Sequence, residues 1–186
     1  LRKTGIPARK IHEILNPISP KILEGVALKE KEALPATSPF FPGTPTGIRV
    51  AYFGRLSPEK GPDRLIQWWK DLKAHLPTGS ELLVAGHGSI EPELRALARS
   101  LSLETSVRFV GYVAHPETFL PYVHAVISPR RYEGLPIALI EAAALGCAVA
   151  ATATDGARAM QTLAKEFFLL PNTDSLDRSE IVALAA

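Results

Sequence analysis

Cysteine is nearly absent: Cys147 is the only one in 186 residues. A disulfide framework and a CxxC metal or redox motif are therefore excluded, and a lone thiol in an apolar run suits a reducing compartment. Charge of one sign is not in excess either. Lys+Arg total 21 and Asp+Glu 19, a formal net charge of +2, and no basic run occurs, so capture of a nucleic-acid backbone is not indicated. Long apolar stretches are missing too. Near the hydrophobic peak, the charge-free run from Ala142 to Thr154 falls short of the roughly 20 residues a helix needs to span a bilayer. The opening LRKTGIPARK has no apolar segment of a secretory signal. With Leu1 first and an apolar IVALAA last, the sequence reads as an excerpt of a longer protein.

Several motifs are lacking as well. His12, His75, His87, His115 and His124 show neither HxxxH nor HExxH spacing, and no DxD triplet stands at a strand end, so no metal is expected. Gly86-His87-Gly88 begins like a dinucleotide fingerprint. Glu91 stands where its third glycine belongs, however, and the first predicted strand ends in GRLSPEKG, which disfavours a dinucleotide-binding dehydrogenase. There is no GxxxxGK[ST] loop and no GxSxG elbow.

What is present is ordinary globular usage, 46% hydrophobic and 22% charged, in a chain long enough to bury a core. Residues 1–47 differ from the rest. They hold seven of the 16 prolines and carry +3, whereas the remainder carries −1. This segment reads as a Pro-rich connector. In it KIHEIL (10–15) alternates like a strand and FFPGTPTG (40–47) resembles a linker. From Ile48 onward, short apolar runs suit buried strands: IRVAYFG (48–54), ELLVAG (81–86), VRFVG (107–111), AVISP (125–129), CAVAAT (147–152) and FFLLP (167–171). Helical patterns lie between them over 63–75, 92–101, 116–123 and 136–145. The alternation predicts an α/β fold over 48–186, a doubly wound parallel sheet of about six strands. Ligands of such sheets bind beyond the carboxyl ends of the strands.

Two of those strand-end loops carry the informative residues. After the first strand, Arg55 and Lys60 flank the start of a helix, between Gly54 and Gly61. Two cations beside free helix N–H groups form an anion site; alternatively they solvate a surface turn. After the fourth strand, Glu133, Gly134, Leu135 and Pro136 open a helix that carries Glu141. The two glutamates are a little over two turns apart and lie on one side. Glu141 sits in the most apolar stretch of the chain, where a carboxylate needs partners. A structural ion pair, an exposed helix face or the hydroxyl donors of a ribose all meet that need. Trp68 and Trp69 read as core and rim packing. Arg130 and Arg131 either guard the site or solvate its lip.

Taken together, VAYFGRLSPEKG, LLVAGHGSIEPELRALA, VRFVGYV and SPRRYEGLPIALIEAAALGCAVAAT closely resemble the carboxyl-terminal domain of GT-B glycosyltransferases, specifically the retaining family 4. The resemblance runs through about residues 48–160, and its most specific element is E-x7-E, Glu133 to Glu141. GIPARKIHEILNPIS (5–19) also resembles the segment before the donor domain, a remnant of the amino-terminal, acceptor-binding half.

The resemblance implies a donor half that binds a nucleotide-sugar, UDP-, GDP- or ADP-linked, and transfers a hexose-type sugar with retention. It assigns the diphosphate to Arg55 and Lys60, with backbone amides around Gly134, Leu135 and Pro136. Glu133 approaches the sugar hydroxyls, Glu141 holds the ribose, and backbone near Val113 meets the base. Catalytic contributions fall to Glu133, Arg55 and Lys60. No metal and no separate cofactor is implied, since cationic side chains stabilise the leaving diphosphate. The expected partner is the acceptor domain, through which membrane contact would also be made. The expected setting is cytoplasmic, at the inner face of the membrane, in surface-polysaccharide or glycoconjugate synthesis. The 186 residues by themselves are expected to bind donor without transferring sugar. His87 replaces an Asp common in the family, and TDGARAM (154–160) replaces a GG-x-x-E-like turn. The competing readings are a non-catalytic nucleotide-sugar-binding module and a GT-B sugar-nucleotide epimerase. The E-x7-E element with RxxxxK favours a transferase over both.

Overall fold

The computed structural model describes residues 20–22, 46–132, 134, 136–161 and 167–185. The strand expected at 10–15, and most of the connector, lie outside them. Six strands are present: β1 (Arg49–Phe53), β2 (Glu81–Ala85), β3 (Val107–Gly111), β4 (Ala125–Ser128), β5 (Ala148–Thr152) and β6 (Phe167–Leu170). They form one parallel sheet in the order β3-β2-β1-β4-β5-β6. The α-helices are α1 (Pro62–Leu72), α2 (Glu91–Ser100), α3 (Ile137–Ala144), α4 (Asp155–Met160) and α5 (Arg178–Ala185).

Strand side chains alternate between faces, and both faces are covered. Val50, Tyr52, Leu82, Val84, Ile127 and Ala150 pack under α1, α2 and α5, against Leu65, Trp69, Leu94 and Ile181. Ala51, Leu83, Ala85, Val126, Val149 and Ala151 pack on the other side against Leu139, Ala142, Ala157, Phe119 and Ile22. This two-sided burial is why the strands read as continuous apolar runs. Trp68 and Trp69 are both core, 2% and 0% exposed. Each spends its indole N–H on a hydrogen bond, to the Asp174 carbonyl and to Ser106 Oγ. The buried Cys147 thiol donates to the carbonyls of Leu120 and Val123. His124 Nδ1 accepts from the Arg49 amide at 3.0 Å. Both residues are thereby given structural roles.

The structure corrects one helix expectation and adds a helix that was not anticipated. The helix expected over 116–123 is instead two single 3-10 turns, Pro116–Thr118 and Leu120–Tyr122, because Pro121 has no N–H and its ring breaks a continuous α-helix. The stretch TDGARAM, for which the sequence suggested no element, forms α4, with Thr154 Oγ1 accepting from the Ala157 amide as N-cap. The carboxyl-terminal helix α5 opens with a reciprocal cap: Asp177 Oδ1 accepts from the Ser179 and Glu180 amides while Glu180 accepts from the Asp177 amide.

The strand order places the site. The chain runs from β1 outward to β3, then crosses back to put β4 on the other side of β1. The loops after β1 and β4 therefore meet at the carboxyl end of the sheet, at the switch point where ligands of such sheets bind.

Candidate functional site

The loop after β1, Gly54–Gly61, is held at several points. The Gly54 and Leu56 amides donate to the Ala85 and His87 carbonyls, extending the parallel ladder past the strand ends. The approach is so close that a Cβ on Gly86 would lie 1.8 Å from the Gly54 oxygen, so only glycine fits. Leu56 is wholly buried, and the hydroxyl of Tyr52 donates to the Arg55 carbonyl at 2.5 Å. Burial pushes the Tyr52 phenol well above its ordinary value, which keeps it a neutral donor. A 3-10 turn at Pro58–Lys60 then leads through Gly61, at φ 67°, into α1. A Cβ on Gly61 would lie 2.2 Å from the Pro129 oxygen. Glycine there lets the β1 loop lie directly on the end of β4.

That contact gathers cations. Arg55 is exposed and Lys60 partly buried. The Arg130 guanidinium packs near Gly54, 3.4 Å from where a Cβ would stand. The Lys60 ammonium is held below the usual lysine value by burial first, then by the like charges of Arg130 and Arg55, with Glu59 opposing them. Burial lowers Arg130 as well. Glu59 is turned aside: its carboxylate accepts from the Ser57 hydroxyl at 2.6 Å, and that bond holds it below the usual carboxylate range. Like charges assembled in this way are relieved by an anion.

Beside this loop lies a cleft of about 410 Å³, walled by Phe53 at the end of β1 with Gly54 and Arg55 after it, Ala85 at the end of β2 with Gly86 to Gly88 after it, and Tyr112 and Val113 after β3. Its size suits a small-molecule site. Arg55 and Val113 therefore share one cleft. At its mouth the His87 and Tyr112 rings meet edge to face, centroids 5.4 Å apart, and Tyr112 is 69% exposed. Gly134 borders a second cleft of about 570 Å³, with Arg131, Tyr132, Ala153, Thr154, Asp155 and Asn172. Glu133 and Leu135 lie outside the described residues. Pro136 is the N-cap of α3 and its carbonyl accepts from the Leu139 and Ile140 amides. Having no N–H, it gives a ligand no backbone donor; this corrects its expected part among the amides.

Glu141, on α3, is half-buried. Its carboxyl is raised above the usual range, first by burial and then by the negative charge of Glu117, which itself lies 3.2 Å from His115 Nδ1. Among the described residues no cation pairs with Glu141, so the structural ion pair weighed from sequence is not formed there. Half-buried and with no cation paired to it among the described residues, its ionised form is suited to neutral hydroxyl donors.

Sequence reasoning missed the part of Tyr52, which sits in strand alternation like any core residue, and left Arg130 and Arg131 undivided. The structure separates them. Arg130 joins the cations, while Arg131 forks onto Asp63 at 3.0 and 2.8 Å.

A profile of the family described as glycosyl transferases group 1 matches residues 39–183. An N-acetylgalactosamine-N,N'-diacetylbacillosaminyl-diphospho-undecaprenol 4-alpha-N-acetylgalactosaminyltransferase of Campylobacter jejuni is 31% identical over 138 residues, 74% of this chain and 32% of that protein. The chain spans between 24% and 36% of the length of the first curated relatives it matches. Among solved structures, WaaG, a glycosyltransferase involved in lipopolysaccharide biosynthesis, matches with TM-score 0.70 at 20% identity, over 93% of this chain and 46% of its own. Anabaena Alr3699/HepE in complex with UDP-glucose matches with TM-score 0.69 at 21% identity, over 99% of this chain and 49% of its own. These likenesses show the fold, a Rossmann-like α/β domain that matches part of GT-B glycosyltransferase structures. Among the described residues no helix is long and apolar enough to cross a membrane.

Proposed function

The chain belongs to the glycosyl transferases group 1 family, and from that premise we propose that it is the donor-binding half of a retaining, family 4 type enzyme that moves a hexose-type sugar from a nucleotide-sugar to an acceptor. The observation that carries this reading is the gathering of Arg55, Lys60 and Arg130 where the β1 loop lies on the end of β4, with Lys60 held low by burial and then by its cationic neighbours. Such a cluster suits a diphosphate. The 410 Å³ cleft at Val113, with the His87–Tyr112 rings at its mouth, takes the base. Glu141 takes the ribose hydroxyls, and Glu133 approaches the sugar. Solved neighbours holding UDP and UDP-glucose support a uridine nucleotide.

The chemical problem is departure of a diphosphate from the anomeric carbon, with negative charge growing on the leaving oxygens. Arg55, Lys60 and backbone N–H groups near Gly134 stabilise that charge, each charged donor contributing about 2–4 kcal/mol in a preorganised site. In the front-face route, a leaving phosphate oxygen takes the acceptor's proton and retention follows. The acceptor oxygen must be held about 3–3.5 Å from the anomeric carbon, a task for an acceptor domain beyond this donor half. A relative named for transfer to a diphospho-undecaprenol-linked acceptor, and a structural neighbour involved in lipopolysaccharide biosynthesis, support a place in surface glycan assembly; the setting that goes with this reading is the cytoplasm, at the membrane's inner face.

Cationic side chains doing this work make a metal dispensable. The chain should bind one of UDP-, GDP- or ADP-glucose by calorimetry with the same affinity in EDTA as in magnesium. Binding lost in EDTA and restored by magnesium would remove the three cations from their role.

A further inference from the structure

Arg131 is the fifth cation of the region by sequence alone, after Arg55, Lys60, Arg64 and Arg130, and the geometry gives it a different task. Its Nη1 donates to the Pro58 carbonyl at 2.7 Å and to Asp63 Oδ1 at 3.0 Å. Its Nη2 donates to Asp63 Oδ2 at 2.8 Å and to Asp174 Oδ1 at 3.3 Å. Both terminal nitrogens are thus fully committed, since each carries two N–H donors. Its backbone is tied as well: the amide donates to the Glu59 carbonyl, and its carbonyl accepts from Asn172 Nδ2. Asn172 Oδ1 in turn accepts from Arg64, which also pairs with Asp174 at 2.6 Å.

We propose that Arg131 is a positioning residue for the diphosphate: its fork on Asp63 locks the loop bearing Arg55 and Lys60 to the loop after β4. The inference rests on the donor-site reading above. The residues bridged explain it. Pro58 and Glu59 belong to the turn that ends in Lys60, Asp63 is the second residue of α1, two past Gly61, and Arg131 immediately follows Arg130. A diphosphate held by Arg55 and Lys60 from one loop and Arg130 from the other needs those loops in a fixed register, and a planar fork on a carboxylate sets one. The charge of Arg131 is answered by Asp63 and Asp174, whose carboxylates raise its own pKa, so little of it reaches a ligand.

Two conservative variants separate position from charge. The full chain is titrated with UDP, GDP and ADP and with the matching nucleosides, and the tightest diphosphate is compared with its nucleoside. Asp63→Asn removes a negative charge from beside the cations. If charge alone mattered, diphosphate affinity would rise; loss of the lock should lower it about tenfold and leave the nucleoside unchanged. Arg131→Lys keeps the charge and loses the fork, and should show the same fall. Diphosphate affinity raised or unchanged in Asp63→Asn, or retained in Arg131→Lys, overturns the proposal. So does a lowered melting temperature with an unchanged diphosphate-to-nucleoside ratio. A wild-type chain with no preference for diphosphate over nucleoside would instead overturn the donor-site reading itself, and the lock with it.

Discussion

Lys60→Met should weaken binding of a nucleoside diphosphate by roughly 10- to 150-fold and leave the parent nucleoside nearly unaffected. The range is that of a hydrogen bond to a charged group, about 1.5–3 kcal/mol. Three structural facts set the direction. Lys60 closes the 3-10 turn against α1. It is partly buried, so its charge is less screened than a surface lysine's. Its ammonium is held low by burial and by Arg130 and Arg55, so the cluster gains most from a ligand that brings negative charge. Methionine keeps the length of the side chain and removes the charge. The rest of the loop is fastened by Leu56, the Tyr52 hydroxyl and the ladder to β2, so the backbone should hold. Calorimetry with a diphosphate and its nucleoside checks this; equal losses for both would take Lys60 away from the phosphates.

Glu141→Gln should erase the preference for a ribonucleoside over its 2′-deoxy counterpart and flatten its pH dependence. The wild-type carboxyl is raised by burial and by Glu117. Only the ionised form accepts fully from ribose hydroxyls. Wild-type nucleoside affinity should therefore rise as pH rises through this elevated pKa and fall below it, at pH values above the ordinary glutamate range of about 4.3. Nucleosides are the right probes because they carry no titrating phosphate. The effect on stability has the opposite sign from that of an ion pair. A carboxyl whose folded-state pKa is raised favours the folded chain below its unfolded value, and that contribution is lost as pH rises through the folded value. At neutral pH the amide removes a half-buried charge, so the melting temperature should hold or rise. A large fall would mean that Glu141 anchors the fold and that its place at the ribose is wrong.

All six strands were legible because a doubly covered parallel strand writes its burial into a continuous apolar run. The run at 81–86 and β2 (Glu81–Ala85) differ at one residue. Helix limits were legible where glycine or a stripe marked them. They failed where a proline interrupted the pattern at 121, and the short helix at 155–160 was not anticipated. Arg55, Lys60 and Val113 were legible as strand-end residues, since topology alone sends such residues to the crevice. The division of labour between Arg130 and Arg131 was not. It depends on Asp63 and Asp174, the latter 43 positions away in sequence from Arg131, and neighbouring arginines in a loop give no sign of which way each will turn. The glycine at 86 could be seen, but the reason for it, a backbone oxygen where a Cβ would lie, exists only after β1 and β2 are paired.

The most direct measurement is a map of backbone amide shifts in the labelled chain as UDP is added, repeated with GDP and ADP. The expected footprint is Gly54–Gly61, Gly86–Gly88, Tyr112–Val113 and Gly134–Glu141, all at the carboxyl ends of the strands, with Lys60→Met reducing it. Shifts confined to the opposite end of the sheet, in the apolar groove lined by Ile48, His124, Ala148, Phe168 and Leu184, or no shifts with any of the three diphosphates, would contradict a donor site at the crevice.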